Sequence, residues 1–286
     1  MSHGENLKQE VRIPDDNHAV TREYCFNNDG FTILRKVFPE EMLLPLRKEV
    51  DDIVRYFESN PVDPFEKYYL KHRVDQGVLY DLYQRFPPFQ SLATNPVILD
   101  ALEEVLGPNI LMYENSLVYK PSGKKNGVPF HQDFISRPRE PLKYITWTAL
   151  DPVHEQNGCL RIIPGSHKNG FLKWHRVKGE THHDRIIPGQ FDPSLAVNVV
   201  MGPGDVLIFN MLLVHGSDEV HIESPRRAFR VSYQNFDQIF SPRATPIVMR
   251  GGTPEMIRAL PLEQQTVSNS TLRKMLHRAG RRLLRM

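Results

Sequence analysis

The chain has 286 residues, and its 36 Lys and Arg residues nearly balance its 34 Asp and Glu residues, giving a formal net charge of +2. This length fits one large domain or two small ones, and the charge balance does not point to nucleic acid as a partner. Two cysteines without a Cys-x-x-Cys pair argue against a disulfide framework and fit a reducing compartment. Because no apolar run reaches the roughly 18 residues of a spanning helix, we expect a cytoplasmic protein with no stable membrane insertion.

The first third of the chain carries two helical patterns. Residues 1–20 are polar and lack periodicity, which predicts a flexible N-terminal arm. Apolar residues then recur at three- and four-residue intervals over residues 40–57, which predicts a helix with one buried stripe. Asn95-Pro96 is typical of a helix start and Gly107-Pro108 of a helix end, so a second helix is expected over residues 95–106.

From Asn109 onwards the apolar pattern changes to a period of two. Strands are predicted over residues 110–120, 129–134, 144–150, 157–163, 206–214 and 226–236. Many short strands separated by Gly/Pro turns predict a mainly β domain over residues 21–242, a sandwich or jelly roll with flanking α-helices. Residues 243–286 are predicted as a C-terminal tail with a basic helix, and the sequence leaves the oligomeric state open.

The segment Pro129-Phe130-His131-Gln132-Asp133-Phe134 places two metal-binding side chains two residues apart. On a strand, alternate residues share a face, so His131 and Asp133 would point the same way. A second histidine would complete the 2-His-1-carboxylate triad that suits non-haem Fe(II) and leaves coordination positions open. His215 is the best candidate, because it follows a Gly-Pro-Gly-Asp turn and an apolar strand; a capping or core histidine is the alternative.

An open iron site needs a co-substrate, and the residues after His215 offer an anchor for one. Arg226 follows the turn at Ser224-Pro225, so an antiparallel return would bring it beside the metal strand. Its guanidinium can hold a carboxylate through two parallel hydrogen bonds, as the far end of 2-oxoglutarate requires. Ser217 could add a hydroxyl donor and Trp147 could wall the pocket, although a surface arginine and a core tryptophan are the structural alternatives.

Taken in order, these segments resemble the phytanoyl-CoA dioxygenase family, which includes ectoine hydroxylase and many natural-product hydroxylases. The resemblance covers about residues 25–240. The segments that carry it are residues 120–123, 129–134, 157–167, 202–209, 215–217 and 225–228. A bare His-x-Asp motif would be weak evidence, whereas the whole ordered series is highly specific.

The resemblance implies a double-stranded β-helix that uses Fe(II), 2-oxoglutarate and O₂ and releases succinate and CO₂. It implies hydroxylation, or another oxidation, of a small-molecule substrate. The implied iron ligands are His131, Asp133 and His215. The implied co-substrate contacts are Arg226, Ser217 and Trp147.

Two further expectations follow from the resemblance. Family members often place another co-substrate contact on the strand 110–120, where Tyr113, Glu114, Asn115 and Ser116 are the choices. We select Asn115, because an amide is a good donor to a carboxylate. Halogenases related to this family replace the carboxylate ligand with a small residue, so the presence of Asp133 favours hydroxylation over halogenation.

Other functions are compatible with parts of the same pattern. Two histidines and one aspartate can also hold Zn²⁺ and a water, as in a metal-dependent hydrolase. A non-catalytic jelly-roll binding module is a third reading, which the intact ligand set disfavours. The substrate stays open among a CoA thioester, an amino acid and a secondary metabolite, although Arg137, Arg139, Lys143 and Arg230 hint at an anion.

Overall fold

The computed structural model describes residues 25–255 apart from 61, 64, 66–68, 121–126, 178–183, 223–224, 236, 238–246 and 254. The arm predicted over residues 1–20 and the basic helix predicted in the tail lie outside the described residues. Within the described part of the chain, no helix is both long enough and apolar enough to cross a membrane.

Helices are concentrated before the main run of strands: α1 (Glu40–Ser59), α2 (Leu82–Arg85), α3 (Gln90–Ala93) and α4 (Pro96–Leu106). The apolar stripe of α1 is buried through Leu43, Leu46, Val50 and Ile53. The start of α4 is capped by Asn95, whose side-chain oxygen accepts a hydrogen bond from the Val97 backbone N–H over 2.9 Å. The two helices predicted from periodicity and capping are thereby confirmed.

The strands form two antiparallel sheets. In chain order they are β1 (Phe31–Leu34), β2 (Val78–Tyr80), β3 (Ile110–Lys120), β4 (Val128–His131), β5 (Lys143–Ala149), β6 (Leu160–Ile162), β7 (Trp174–Arg176), β8 (Asp184–Ile186), β9 (Val197–Val199), β10 (Val206–Asn210), β11 (His215–Ser217), β12 (Arg226–Asn235) and β13 (Ile247–Arg250). The major sheet has the order β1-β10-β5-β12-β3-β13, with β2 also paired to β3. The minor sheet has the order β4-β11-β6-β9, and β7 and β8 form a separate hairpin.

The two faces of the major sheet meet different partners. Its outer face packs against the helices, and Phe229 and Val231 of β12 belong to that core cluster. Its inner face packs towards the minor sheet, and Ala228 and Trp147 share a second core cluster with Ile162 of β6. Since alternate residues of a strand point to opposite faces, the even-numbered residues 226–232 of β12 lie on the inner face. This is the double-layered jelly roll with flanking helices that the sequence predicts.

The prediction of one strand over residues 206–214 is wrong for residues 211–214. β10 ends at Asn210, whose Oδ1 accepts a hydrogen bond from the Leu212 N–H over 2.9 Å. The Asn210 carbonyl accepts another from the Leu213 N–H over 2.9 Å, which closes a turn of the kind that asparagine favours. The chain crosses here from the major to the minor sheet, so His215 begins a new strand instead of following directly on the end of the old one.

The major sheet continues past the expected domain end at residue 242. Strand β13 pairs with the first residues of β3, in the register Ile247 opposite Met112. The apolar run at residues 247–249 supplies that strand, and it packs partly against the helix-side core. The region expected to be a tail therefore begins with an element of the sheet.

Candidate active site

Three candidate metal ligands come together on the minor sheet. His131 ends β4, Asp133 follows two residues later, and His215 begins the neighbouring strand β11. Antiparallel pairing sets His215 directly opposite His131, and their ring centroids are 4.2 Å apart. One ligand atom from each of the three side chains lies within 4.8 Å of the other two. Because the turn at Asn210 moves the chain from the major to the minor sheet, His215 can pair with His131.

Each imidazole is oriented by a backbone carbonyl. The Nδ1 atom of His131 lies 2.9 Å from the Pro129 carbonyl oxygen, and that of His215 lies 2.9 Å from the Leu213 carbonyl oxygen. A carbonyl oxygen only accepts, so Nδ1 of each ring donates and Nε2 is the ring nitrogen left to face a metal. Burial lowers the pKa of His131 to about 4, which keeps this ring neutral at physiological pH. Both rings are therefore prepared as metal ligands.

Asp133 presents one of its two oxygens to the imidazoles. Its Oδ1 is 3.0 Å from Nη2 of Arg230, whereas its buried Oδ2 has no hydrogen-bond partner among the described residues. Oδ2 lies 4.0 Å from Nε2 of His215. Burial acts to raise the pKa of Asp133, but the charge and hydrogen bond of Arg230 outweigh it and hold the pKa below its usual value.

These donors fit a non-haem iron. Two imidazole nitrogens and one carboxylate oxygen converge, and no donor in the described part of the chain reaches that buried oxygen. A divalent cation would satisfy that oxygen and leave coordination positions for further ligands. The fit rests on the chemistry of His131, Asp133 and His215 and on the unpaired Asp133 Oδ2 atom.

A buried cation lies on the inner face of the major sheet, the face that packs towards the minor sheet and its candidate metal ligands. Arg226, the first residue of β12, is only 4% exposed, and its Nε and Nη1 atoms have no hydrogen-bond partner among the described residues. The guanidinium carbon lies 5.0 Å from the centre of the Trp147 ring, and the buried hydroxyl of Ser217 is also without a partner. Burial lowers the pKa of Arg226 to about 10, so the group stays charged at neutral pH. The structure brings Arg226 and Trp147 into contact, and Ser217 lies on β11 of the facing minor sheet.

Lys120 is a second cation on this face, and sequence reasoning missed it. It lies opposite Arg226 in the pairing of β3 with β12, and its Nζ donates to the Asp218 carbonyl oxygen over 2.6 Å. Burial, together with the charge of Arg226, lowers the pKa of Lys120 to about 7. The sequence alone does not show that Lys120 shares a face with Arg226, because that depends on the register of β3 against β12.

The expectation for Asn115 is not supported by its position. Asn115 pairs with Val231 on the outer face, where its Oδ1 accepts from the Tyr83 N–H over 3.0 Å and its Nδ2 donates to Gln84 Oε1 over 2.8 Å. The structure therefore places it on the helix side, away from Arg226. Ser116, another choice on the same strand, lies opposite Arg230 on the inner face.

Acidic partners hold three of the cations that hinted at an anionic substrate: Arg137, Lys143 and Arg230. Arg137 is 2.6 Å and Lys143 2.9 Å from the two carboxylate oxygens of Glu140. Arg230 bridges Asp133 and Glu114 through its two terminal nitrogens. The contact between Arg230 and Asp133 could not be inferred from the sequence, because Arg230 lies on β12 of the major sheet and Asp133 follows β4 of the minor sheet.

A jelly roll whose interior holds two imidazoles and a carboxylate around one point defines the class of non-haem iron oxygenases. The chain belongs to the phytanoyl-CoA dioxygenase family, because the family model matches residues 26–228. That span contains the three candidate ligands and Arg226. The family predicted from the ordered motifs is thereby confirmed.

Known proteins similar to this chain agree with that membership. The peroxisomal phytanoyl-CoA dioxygenase of Homo sapiens is 30% identical over 255 residues, which is 80% of this chain and 72% of that protein. A probable alpha-ketoglutarate-dependent hypophosphite dioxygenase of Stutzerimonas stutzeri is 28% identical over 233 residues, covering 76% and 78% of the two chains. The apo structure of ThoJ, a non-heme monooxygenase, superposes with a TM-score of 0.67 at 18% identity, covering 91% and 99%, and supports the fold.

Family membership and the donor set also confirm the cofactors predicted from the sequence: Fe(II), 2-oxoglutarate and O₂. The coarse activity, an iron- and 2-oxoglutarate-dependent dioxygenase, follows with them. The relatives' names assign them different substrates, a phytanoyl-CoA and hypophosphite, so the family does not by itself fix the substrate of this chain.

Proposed function

We propose that this enzyme hydroxylates a small organic molecule, with His131, Asp133 and His215 holding Fe(II) and Arg226 holding 2-oxoglutarate. The observation that carries the proposal is a pair of unsatisfied buried groups on facing sheets. Among the described residues, nothing donates to the Asp133 Oδ2 atom, and nothing accepts from Nε or Nη1 of Arg226. A metal ion would satisfy the Asp133 oxygen, and the far carboxylate of a dicarboxylate bound to that metal would satisfy the Arg226 guanidinium.

The protein's part in the reaction is to bind, orient and exclude water. When bound, Fe(II) and 2-oxoglutarate supply an oxidant derived from O₂, with succinate and CO₂ as co-products. Arg226 and Ser217 would take the far carboxylate of 2-oxoglutarate, and Trp147 would cover the guanidinium from water. Because only His131, Asp133 and His215 would hold the metal, it would keep coordination positions for the co-substrate and O₂.

Asp133 supports hydroxylation over halogenation in this proposal. A halide would need the coordination position that the carboxylate holds, and Arg230 ties that carboxylate in place. Aromatic side chains border the ligands: the Phe209 ring centre is 5.0 Å from that of His215, and the Phe134 ring packs edge-on against Tyr113. These walls favour a substrate with an apolar body. Action on a secondary metabolite and a cytoplasmic location stay predictions.

The test measures co-substrate turnover. Protein loaded with Fe(II) without O₂ is mixed with 2-oxoglutarate and then exposed to air, and succinate is quantified with and without a metabolite panel. We expect slow succinate release alone and faster release with the right metabolite. His131→Ala should abolish it, whereas His175→Ala, at an exposed position of β7, should not. Iron binding with no 2-oxoglutarate decarboxylation across the panel would contradict the proposal.

A metal-dependent hydrolase is the alternative that the same ligands allow. Its signature would be turnover by the Zn²⁺-loaded protein with O₂ excluded. The unpaired Arg226 beside the site argues against it, because a hydrolytic zinc site has no need of a second carboxylate anchor.

A further inference from the structure

The side chains that hold Asp133 form a buried chain of three charges. We propose that Arg230 and Glu114 are positioning residues that fix which Asp133 oxygen reaches the metal and keep that carboxylate to one coordination position. The inference rests on the proposed function of the site. It goes beyond that function because it concerns residues that would touch neither the metal nor the co-substrate.

The geometry separates the two oxygens of Asp133. Arg230 Nη2 lies 3.0 Å from Oδ1, which leaves Oδ2 alone on the side of the imidazoles. An aspartate with both oxygens available can chelate a metal through both and take two positions. With Oδ1 engaged by a guanidinium, only Oδ2 is available, and the second position is left for 2-oxoglutarate or O₂.

Glu114 holds the other end of Arg230. Its Oε1 is 3.1 Å from Arg230 Nη1, and side-chain exposure is 14% for Arg230, 10% for Glu114 and 13% for Asp133. Two adjacent nitrogens of a planar fork are therefore fixed at once, which determines the direction of the guanidinium. Because Glu114 lies on β3 and Arg230 on β12, the central part of the major sheet supplies the support.

Charge gives Glu114 a second role. A guanidinium beside the ligand carboxylate neutralises it and would weaken its attraction for a dication. Glu114 restores one net negative charge to the group of three, in a place where burial makes charge interactions stronger than in water. We therefore expect Arg230 to govern the coordination geometry and Glu114 to govern mainly the affinity for the metal.

The backbone beside Asp133 explains why such support is needed. Phe134 has a φ of 54°, in the left-handed region that a residue with a bulky side chain rarely adopts. The segment after the ligand is therefore strained and would relax if nothing held it. The Arg230 guanidinium carbon lies 5.7 Å from the Phe134 ring centre, so the same arginine contacts both the ligand and the strained residue.

The experiment is an anaerobic titration of the full chain with Co(II), read by its visible d–d absorption, which reports both affinity and coordination. We expect Arg230→Lys to lower Co(II) affinity by about tenfold and to change the band shape, since a single ammonium nitrogen cannot replace the rigid two-nitrogen fork that fixes both acids. We expect Glu114→Gln to lower affinity by about tenfold with the band shape preserved, since Gln can still accept from Arg230. The control is Arg250→Lys, which alters an ion pair with Glu103 on the helix side.

The outcomes separate this inference from the proposed function. Wild-type affinity and band shape in both variants, with metal still lost in His131→Ala, would overturn the positioning role alone. Failure of the wild-type protein to bind Co(II) would overturn the metal site and the positioning role together. Thermal unfolding of the metal-depleted variants shows whether each one folds. Glu114→Gln keeps the shape of the side chain, so it still tests the positioning role if Arg230→Lys does not fold.

Discussion

Arg226 and Arg227 are consecutive residues of one strand and occupy opposite environments. Arg227 points to the outer face, where its Nε donates to Asp151 over 2.8 Å and its Nη1 to Asp51 over 3.0 Å. Its backbone N–H also donates to Asp151 over 2.8 Å. Arg226 points to the inner face and is just as buried, but its Nε and Nη1 find no hydrogen-bond partner within the described ranges.

The contrast distinguishes a structural arginine from a binding one. A buried charge without a counter-ion is destabilising, so a fold retains one where a ligand completes it. On the outer face, the carboxylates of Asp151 and Asp51 neutralise Arg227. On the inner face, the charge of Arg226 has no carboxylate partner among the described residues. The same alternation separates Asn115, bonded on the outer face, from Ser116 on the inner face.

The largest effect is expected from Arg226→Met. The far carboxylate of 2-oxoglutarate would lose a buried, charge-assisted bidentate partner, and we expect its affinity to fall by at least about 100-fold. Stability in the absence of ligand should be unchanged or higher, because an unpaired buried charge is removed. Isothermal titration with 2-oxoglutarate on the metal-loaded protein, with a urea unfolding curve, checks both. A variant that binds 2-oxoglutarate as tightly as wild type would remove Arg226 from the site.

Arg227→Met is the matched variant one residue away. We expect the free energy of unfolding to fall by about 3 kcal/mol, because Asp151 is left buried without its main partner. The folded protein should keep its affinity for 2-oxoglutarate. Asp51→Asn is the milder control, since Asp51 is 56% exposed and its ion pair is screened by water. A clear loss of 2-oxoglutarate affinity in the folded Arg227→Met variant would contradict the contrast between the two arginines.

The sequence predicted those parts of the molecule that depend on local pattern. The α1 and α4 helices followed from apolar spacing and from Asn95-Pro96, and β3 and β12 from alternation. His131 and Asp133 are two residues apart, so their shared location needed no long-range knowledge. His215 and Arg226 were reached through the turns and strands that precede them, together with the family resemblance.

The parts that were missed depend on pairings between distant strands. Asn115 was selected for its chemistry, but its face is fixed by the register of β3 against β12, which one strand alone does not reveal. Lys120 and the Arg230–Asp133 contact depend on the same register and on the approach of the two sheets. The break at Asn210 was locally visible as a polar residue in an apolar run, and its turn-forming side chain was the overlooked signal.

A smaller effect is expected from Ser217→Ala. The hydroxyl would contribute one hydrogen bond to the co-substrate carboxylate, so we expect 2-oxoglutarate affinity to fall by about fivefold. Stability should change little, because the hydroxyl has no partner among the described residues to lose. Titration of the metal-loaded variant gives the number, and Ser91→Ala at an exposed helix-side position is the control. No change in affinity would place the hydroxyl outside the co-substrate pocket.

The smallest expected effect concerns the charge on Lys120. Burial and Arg226 depress its pKa to about 7, and the charges of Asp218, Cys159 and Glu219 oppose that depression only in part. Lys120 is therefore mostly charged below neutral pH and mostly neutral above it. The inner-face pocket then carries two positive charges at lower pH and one, that of Arg226, at higher pH.

Because 2-oxoglutarate is a dianion throughout this range, we expect its affinity to fall by about threefold as the pH rises from about 6 to about 8. Lys120→Met should bind equally at both pH values, at the level of the wild type at higher pH. Lys48→Met removes an exposed lysine of α1 and should keep the wild-type pH dependence. An unchanged slope in Lys120→Met would assign the pH dependence to another group, whereas a flat wild-type profile would show that Arg226 and not Lys120 supplies the charge that the co-substrate meets.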